Sequence, residues 1–283
     1  MLFNIASIFL FVLAVDCVPN GYRYHSNVGI PWAWSLNQSE LAARIIGGNV
    51  VTSLSQYPYQ AGIVATLTSK QQSICGGALI SNTRVLTAAH CWWDGENQAS
   101  SFEVVLGSLT IFTGGTRITS KDVVVHSAWN VQDLTNDIAI VKITTVTFNS
   151  NINAIEIPAA TDVNTDFAGT TATATGYGKT SDSQTSFPTS TSLYKVDLKV
   201  ITNTVCQKSF NIAISNGHVC TDGANKVGTC DGDSGGPLAV SWNNKTILIG
   251  IVSFGLEESC QSGTPSVFTR VTAFLTWINA QMI

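Results

Sequence analysis

The chain has few charged residues. Only 11% of its 283 residues are charged, against 45% that are hydrophobic, and the 14 lysines and arginines are scattered rather than clustered. The formal net charge is −4. Because nucleic acids and acidic membrane surfaces bind clusters of basic residues, this sequence supports neither partner. Because the composition is too apolar for a disordered chain, we expect a globular protein with a large core.

The N-terminal hydrophobic run is too short to span a membrane. It covers residues 2–15 and is interrupted only by Asn4 and Ser7, whereas a transmembrane helix needs about 20 apolar residues. Such a run predicts a secretory signal peptide, which we expect to end at Cys17. Residues 1–17 are therefore predicted to be removed, and the protein is expected to be secreted and extracellular.

The sequence contains no cysteines spaced as in a zinc-binding CxxC motif. It has seven cysteines, and loss of Cys17 with the signal peptide leaves six: Cys75, Cys91, Cys206, Cys220, Cys230 and Cys260. Six cysteines in an exported protein can all form disulfides, although the sequence alone leaves their connectivity open. Free buried thiols or a zinc site are the alternative, and we expect neither a metal nor a cofactor.

The remaining chain divides into two regions. Residues 18–44 contain prolines and the aromatic pair Trp32 and Trp34 without any sustained hydrophobic period, and we interpret them as an activation propeptide. From residue 45 onward, short β-branched and apolar runs separated by Gly, Asn, Ser and Thr are typical of an all-β barrel fold. Strands are predicted at residues 63–67, 78–80, 103–106, 122–125, 138–143, 171–175, 195–201, 237–241 and 247–253.

Two stretches depart from the strand pattern. Residues 181–192 are rich in Ser and Thr and contain Pro188, which predicts an exposed loop. At the C-terminus the apolar residues recur at helical spacing, which predicts one amphipathic helix packed on the core. Its apolar residues are Val271, Phe274, Leu275, Ile278 and Met282.

Three short motifs carry the residues needed for nucleophilic acyl transfer. His90 lies in the sequence TAAHC, Asp137 in NDIA and Ser234 in GDSGGP. A serine hydroxyl is a poor nucleophile at neutral pH, so Ser234 would need a neighbouring base to take its proton. His90 suits that role because imidazole titrates at about pH 6.5, and Asp137 would hold the ring in the required tautomer. Taken singly, each residue is compatible with an ordinary turn or structural role.

The order of these residues distinguishes hydrolase families. His, then Asp, then Ser is the order of the chymotrypsin family, whereas α/β-hydrolases have Ser, acid, His and subtilisins have Asp, His, Ser. The chain therefore resembles the chymotrypsin family of serine proteases over residues 45–283, and residues 81–95 are most similar to insect (lepidopteran-type) gut chymotrypsins. The resemblance implies two six-stranded antiparallel β-barrels packed together with a C-terminal α-helix. The first barrel would hold His90 and Asp137, and the second Ser234.

The resemblance also assigns roles to residues near the three motifs. Backbone N–H groups of Gly232 and Ser234 would form the oxyanion hole. Arg44 and Ile45 begin the sequence RIIGG, which resembles the family's activation junction. Cleavage after Arg44 by a trypsin-like protease would free the ammonium group of Ile45, which would insert and pair with Asp233. The implied disulfides join Cys75 to Cys91, Cys206 to Cys220 and Cys230 to Cys260.

The same resemblance places six residues around the pocket for the side chain before the scissile bond: Gly228, Thr229, Ser253, Phe254, Gly255 and Ser266. Gly228 stands where relatives that cut after Lys or Arg have an aspartate, so a cationic side chain would be buried there without a partner. Gly228 and Gly255 permit a deep slot, which favours Phe, Tyr, Leu or Met. Ser266 stands where chymotrypsins generally have glycine, and its side chain would narrow the slot.

The sequence therefore predicts a secreted serine endopeptidase, made as a zymogen, with a chymotrypsin-like preference and a digestive role in the gut lumen. Its expected partners are protein or peptide substrates, an activating trypsin-like protease and protein protease inhibitors, and we expect a monomer. One alternative is an elastase-like or collagenolytic serine protease. The other is a non-catalytic protease-like binding protein, which the presence of all three catalytic residue types disfavours.

Overall fold

The structure, a computed structural model, describes residues 23–39, 49–179, 192–255 and 260–282. The predicted signal peptide and residues 181–191 of the predicted loop lie outside these ranges. The described residues form three α-helices: α1 (Ile30–Ser39), α2 (Asn203–Cys206) and α3 (Leu275–Ala280). Their strands are β1 (Asn49–Val50), β2 (Gln60–Leu67), β3 (Gln72–Ser81), β4 (Arg84–Thr87), β5 (Ala99–Leu106), β6 (Thr116–Ser120), β7 (Val123–Val125), β8 (Ala139–Lys142), β9 (Thr171–Gly176), β10 (Tyr194–Ile201), β11 (His218–Thr221), β12 (Pro237–Trp242), β13 (Lys245–Phe254) and β14 (Ser266–Arg270).

These strands form two seven-stranded antiparallel sheets. The first has the order β6-β5-β2-β3-β4-β8-β7, and the second has the order β1-β10-β11-β14-β13-β12-β9. A further pairing of β9 with β10 closes six strands of the second sheet into a barrel, with β1 attached outside. The all-β, two-barrel prediction is confirmed, with one correction. In the first sheet the described edge strands β6 and β7 do not pair with each other, so it forms a half-barrel rather than a closed six-stranded one.

Each predicted strand overlaps an observed one, but five observed strands were not predicted: β1, β4, β6, β11 and β14. These strands are short, and several are polar in sequence, such as TRITS in β6 and HVCT in β11. Their extended conformation depends on the neighbouring strands with which they pair, as β11 does with β14. Local sequence therefore gives only a weak signal for them.

The C-terminal helix is shorter than the apolar pattern predicts. Its first turn, Val271–Phe274, is 3₁₀-helical, and α3 covers only Leu275–Ala280. Val271 and Ile278 are fully buried in the core of the first sheet, whereas Met282 lies beyond the helix and is 36% exposed. Fully burying an isoleucine or valine contributes about 1.5–3 kcal/mol, so this contact anchors the chain end.

The predicted propeptide contains an unexpected helix. A π-helical turn, His25–Gly29, leads directly into α1, which contacts strand β3 of the first sheet. The buried residues of α1 include Trp32, Ala33 and Leu36, whose spacing of one and four positions places them on one helical face. This short stripe is interrupted by Pro31 and the exposed Trp34, which explains why no sustained period is visible in the sequence.

No helix among the described ranges has both the length and the apolar character needed to cross a bilayer.

Candidate active site

Strand pairing in the first sheet brings His90 and Asp137 together. Strands β4 and β8 are antiparallel neighbours in which Thr87 pairs with Ala139. His90 follows β4 in a 3₁₀ turn, Ala89–Cys91, and Asp137 lies two positions before the first residue of β8. Both residues therefore lie at the same end of this strand pair, although 47 positions separate them.

The Asp137 carboxylate holds His90 by two hydrogen bonds. The backbone N–H of His90 donates to Asp137 Oδ1 at 2.9 Å, and His90 Nδ1 lies 2.7 Å from Oδ2. This second contact orients the ring, because a proton on Nδ1 leaves Nε2 free to accept another. Asp137 is fully buried and His90 is 6% exposed, so the pair is shielded from water.

The second sheet completes the environment of Asp137. The hydroxyl of Ser253 in β13 donates to Asp137 Oδ2 at 2.6 Å, and Thr269 in β14 donates to its backbone carbonyl at 2.7 Å. Burial by itself raises the pKa of Asp137, but the charge of His90 and the hydrogen bonds from His90 and Ser253 outweigh it, so the pKa lies below its ordinary value. Asp137 is therefore ionised at neutral pH.

Ser234 lies in the turn before β12, where the two sheets meet. Its carbonyl accepts a 2.7 Å hydrogen bond from the backbone of Gly76 in β3, and it lies 3.8 Å from the Sγ of Cys91. Two glycines with positive φ, Gly232 at 95° and Gly235 at 80°, shape this turn. A Cβ at Gly235 would lie 2.3 Å from Thr87 Oγ1, so the close approach requires glycine.

The structure does not contain a direct hydrogen bond between Ser234 and His90. Among the described residues, His90 Nε2 is buried without a hydrogen-bond partner. Instead, the Tyr24 ring packs edge-on against the His90 ring at 4.8 Å between centroids. The Tyr24 hydroxyl donates to the carbonyl of Ile74, and burial raises its pKa above the ordinary value. Tyr24 therefore contacts the candidate base, His90.

Asp233, the residue before Ser234, lines a cavity beside strands β9 and β10 of the second sheet. Its Oδ1 accepts from the backbone of Gly178 at 2.8 Å and its Oδ2 from Cys230 at 3.0 Å. Burial raises the pKa of Asp233 to about 6. The cavity has a volume of about 200 Å³ and is also lined by Lys195. Arg44 and Ile45, the predicted activation residues, lie outside the described residues.

Apart from Ser253, which donates to Asp137, the predicted substrate-binding residues divide into two groups. Ser266 Oγ accepts from the backbone N–H of Thr229 at 3.2 Å, and a Cβ at Gly228 would lie 2.9 Å from the same Oγ. These three residues therefore form one wall. Phe254 instead packs its ring against the rings of Phe210 and His218, and no described atom lies within 4 Å of a Cβ built at Gly255.

Three disulfides surround these elements: Cys75 with Cys91, Cys206 with Cys220 and Cys230 with Cys260. They are the pairs that the resemblance implies. The first fixes the residue after His90 to β3, and the third fixes the residue before the turn that carries Ser234. Among the described residues, Cys75, Cys91 and His90 are grouped closely enough to hold a metal, but both sulfurs are joined in the disulfide and offer no thiolate.

Sequence reasoning missed two contributors to the site. Thr269 holds the Asp137 backbone, and only the pairing of β14 with β13 brings it there. Tyr24 contacts His90 from the predicted propeptide. The aromatic composition of that segment is visible in the sequence, but its position in the fold is not.

Comparisons with known proteins match this arrangement. The trypsin family model matches residues 45–278. A collagenase of Hypoderma lineatum is 38% identical over 83% of this chain and 86% of its own length, and a brachyurin of Leptuca pugilator is 39% identical over 84% and 98%. A chymotrypsin of Phaedon cochleariae is 33% identical over 86% and 84%.

A solved structure, of the protein called HL collagenase, superposes with a TM-score of 0.75 at 34% identity. The alignment covers 84% of this chain and 98% of that one. Sequence and fold therefore agree over nearly all of the two-sheet region. The chain belongs to the trypsin family of serine proteases.

Proposed function

We propose that this protease is a secreted endopeptidase that hydrolyses peptide bonds through Ser234, His90 and Asp137. The observation that carries the proposal is the buried Asp137 carboxylate, which accepts a hydrogen bond from the backbone N–H of His90 and lies 2.7 Å from its ring atom Nδ1. Ser234 Oγ attacks the substrate carbonyl carbon while its proton passes to His90 Nε2. The N–H groups of Gly232 and Ser234 stabilise the negative oxygen that forms.

The protonated His90 then donates its proton to the leaving amine as the peptide bond breaks, and the acyl group stays on Ser234. In the second half of the reaction His90 takes a proton from the water that attacks the acyl carbon, and it returns this proton to Ser234 Oγ as the acid product leaves. A fluorophosphonate tests this function directly, because it labels only an activated serine. Labelling of Ser234 in the trypsin-cleaved protein supports the proposal, and absence of labelling favours a non-catalytic binding protein.

The same proposal includes synthesis as a zymogen with residues 18–44 as propeptide. The cavity beside Asp233 supports it, because a carboxylate with a pKa raised to about 6 lacks a strong compensating charge. The ammonium group of Ile45, freed by a trypsin-like protease, would enter this region and pair with Asp233. The new ion pair would then order the turn that carries Gly232 and Ser234.

Mutation of the junction gives the first prediction. We expect an Arg44→Gln precursor to be secreted and folded but to stay almost inactive after trypsin treatment, at least about 100-fold below the cleaved wild type. Peptide hydrolysis and N-terminal sequencing measure the two effects, and Arg117→Gln, which changes an arginine outside the junction, is the matched control. High activity in the uncleaved Arg44→Gln protein would refute the activation switch.

We also propose a chymotrypsin-like preference for Phe, Tyr, Leu or Met before the scissile bond. Gly228 supplies no charge at the proposed pocket floor, and Ser266 lies directly against it. A collagenolytic or elastase-like specificity is the second candidate, because relatives of this chain carry the name collagenase. A digestive role in the gut lumen, a monomeric state and inhibition by protein protease inhibitors are parts of the proposal that rest on the resemblance to gut chymotrypsins.

Removal of the Ser266 side chain gives the second prediction. In Ser266→Gly the slot widens, and we expect kcat/KM for Trp relative to Leu before the cut to rise about tenfold. Peptides that differ only at that position measure the ratio, and Ser262→Gly, in a nearby exposed turn, is the control. If the wild-type protein cleaves mainly after small residues, or if it cleaves native collagen, the collagenolytic or elastase-like specificity is favoured instead.

A further inference from the structure

We propose that the surface beside His90 is a binding site for residues 23–36 of the chain itself, and that this covering segment inhibits the protease before and after cleavage at Arg44. The proposal rests on the proposed function, because it takes His90 and Ser234 to be the catalytic residues. It concerns the segment that precedes the activation junction, whereas the proposed switch at Asp233 concerns the chain end created by cleavage.

Tyr24 lies at the catalytic residues. Its hydroxyl donates a 2.6 Å hydrogen bond to the carbonyl of Ile74 in β3, and its ring packs against the His90 ring with an interplanar angle of 62°. Tyr24 is only 7% exposed. Because the Tyr24 ring is packed directly against the His90 ring, a substrate cannot reach His90 while Tyr24 stays in place.

His25 fixes the segment by two further contacts. Its backbone N–H donates to Asp94 Oδ2 at 2.8 Å, and its Nδ1 lies 2.8 Å from Ser73 Oγ. His25 is fully buried, and burial lowers its pKa to about 4, so the ring is uncharged at neutral pH. Gly29 then approaches Ser73 so closely that a Cβ would lie 1.8 Å from the Ser73 Oγ. These contacts specify one position for the segment.

Trp32 covers the proposed oxyanion hole. A Cβ built at Gly232 would lie 2.5 Å from the indole Cδ1 and Nε1 of Trp32, so the ring is directly against the Gly232 backbone. The indole N–H donates to the carbonyl of Tyr177 at 3.0 Å, and the ammonium of Lys179 lies 5.7 Å from the ring centroid. A large aromatic side chain buried to 1% exposure commonly dominates the affinity of an interface.

The helix that carries Trp32 is amphipathic with respect to this surface. Trp32, Ala33 and Leu36 are buried and pack with Ile74 of β3, whereas Trp34 on the opposite side is 70% exposed. Packing, and not helix propensity alone, therefore holds α1 in place. Trp34 also provides a matched control, since it is the same residue type in the same helix without the contact.

Cleavage after Arg44 changes the binding from intramolecular to bimolecular. Residues 18–44 contain no cysteine, so no disulfide can retain the released segment once Cys17 has left with the signal peptide. While the chain is intact, the segment acts at a high effective concentration, and after the cut it dissociates on dilution. Inhibition should therefore persist in concentrated cleaved protein and disappear in dilute solution.

A synthetic peptide of residues 18–39 tests the site in trans. Full-length protein is cleaved with trypsin, freed of trypsin and diluted to about 10 nM, and initial rates of peptide hydrolysis are measured with and without the peptide. We expect about tenfold inhibition at about 100 µM peptide, which corresponds to an inhibition constant on the order of 10 µM. Tyr24→Ala and Trp32→Ala peptides should each inhibit at least about tenfold more weakly, and the Trp34→Ala peptide should inhibit like the wild type.

Two outcomes would overturn the proposal: no inhibition of an active protease at about 1 mM peptide, or equal inhibition by the Trp32→Ala and Trp34→Ala peptides. Calorimetry with the cleaved Ser234→Ala protein separates this result from the proposed function, because it measures binding without hydrolysis. If the wild-type protein is inactive in the absence of peptide, the proposed function fails. Peptide binding to Ser234→Ala would then still support the site, and absence of binding would overturn it.

Discussion

We expect Ser234→Ala to lower kcat/KM of the trypsin-cleaved protein by about 10⁶-fold, because no other group in the turn is placed to form the acyl intermediate. The remaining activity, above the uncatalysed reaction, comes from the N–H groups of Gly232 and residue 234, which the substitution leaves in place. Hydrolysis of a peptide anilide with Phe before the scissile bond measures the loss. The side chain is small and 9% exposed, so the melting temperature should change little.

The controls for this prediction use two other residues. Ser241→Ala, at an exposed position of the same strand β12, should retain full activity. His90→Ala should cost nearly as much as Ser234→Ala, and the double variant should be no worse, because the two residues act as one unit. Retention of more than about 1% of the activity in Ser234→Ala would be incompatible with the proposed mechanism.

Asp137→Asn is expected to lower kcat/KM by about 10⁴-fold while leaving the fold intact. An amide NH₂ at this position would donate to His90 Nδ1 and place the ring proton on Nε2, which is the atom that must accept the proton of Ser234. The backbone N–H of His90 can still donate to the amide oxygen, as it does now to Oδ1. The loss should therefore appear in kcat rather than in binding of substrate.

A comparison with Ser253→Ala identifies the cause. That variant removes one hydrogen bond to Asp137 Oδ2 but leaves the carboxylate, so a loss of about tenfold or less is expected. Equal activity losses in Asp137→Asn and Ser253→Ala would show that tautomer control is not the main role of Asp137.

The pKa of Asp137 also links stability to pH. Because this pKa is lower in the folded protein than in the unfolded chain, the ionised carboxylate stabilises the fold at any pH above the pKa of the unfolded chain. This stabilisation is lost as the pH falls through the lowered pKa of the folded protein.

The motifs around His90, Asp137 and Ser234 are local in sequence, which is why the amino-acid sequence alone is enough to name the candidates. Their convergence is not local. It depends on the pairing of Thr87 with Ala139 and on a hydrogen bond from Gly76 to Ser234, and no periodicity in the chain encodes either contact. From the sequence, only the resemblance to a known family predicts this convergence.

The unpredicted strands and the unpredicted helix α1 were not visible in the sequence for different physical reasons. Strands β6 and β11 are too short and polar to produce a clear alternating pattern, and their neighbours determine their conformation. Helix α1 buries only a narrow face, so Trp32 and Leu36 resemble scattered hydrophobic residues when the sequence is viewed alone. What makes them a buried set is the surface of the first sheet, which is assembled from residues far along the chain.

The hydrogen bond from Gly76 to the carbonyl of Ser234 joins the two sheets with backbone atoms only. A Cβ at Gly76 would lie 2.8 Å from the Gly236 Cα, so the halves of the molecule touch with no side chain between them. The proposed nucleophile, Ser234, belongs to one half and the proposed base, His90, to the other, so this direct backbone junction sets the distance between them. The proposed hydrolytic activity therefore depends on how the two halves are placed against each other. A mutation that moved one half would have to be matched by a compensating change in the other.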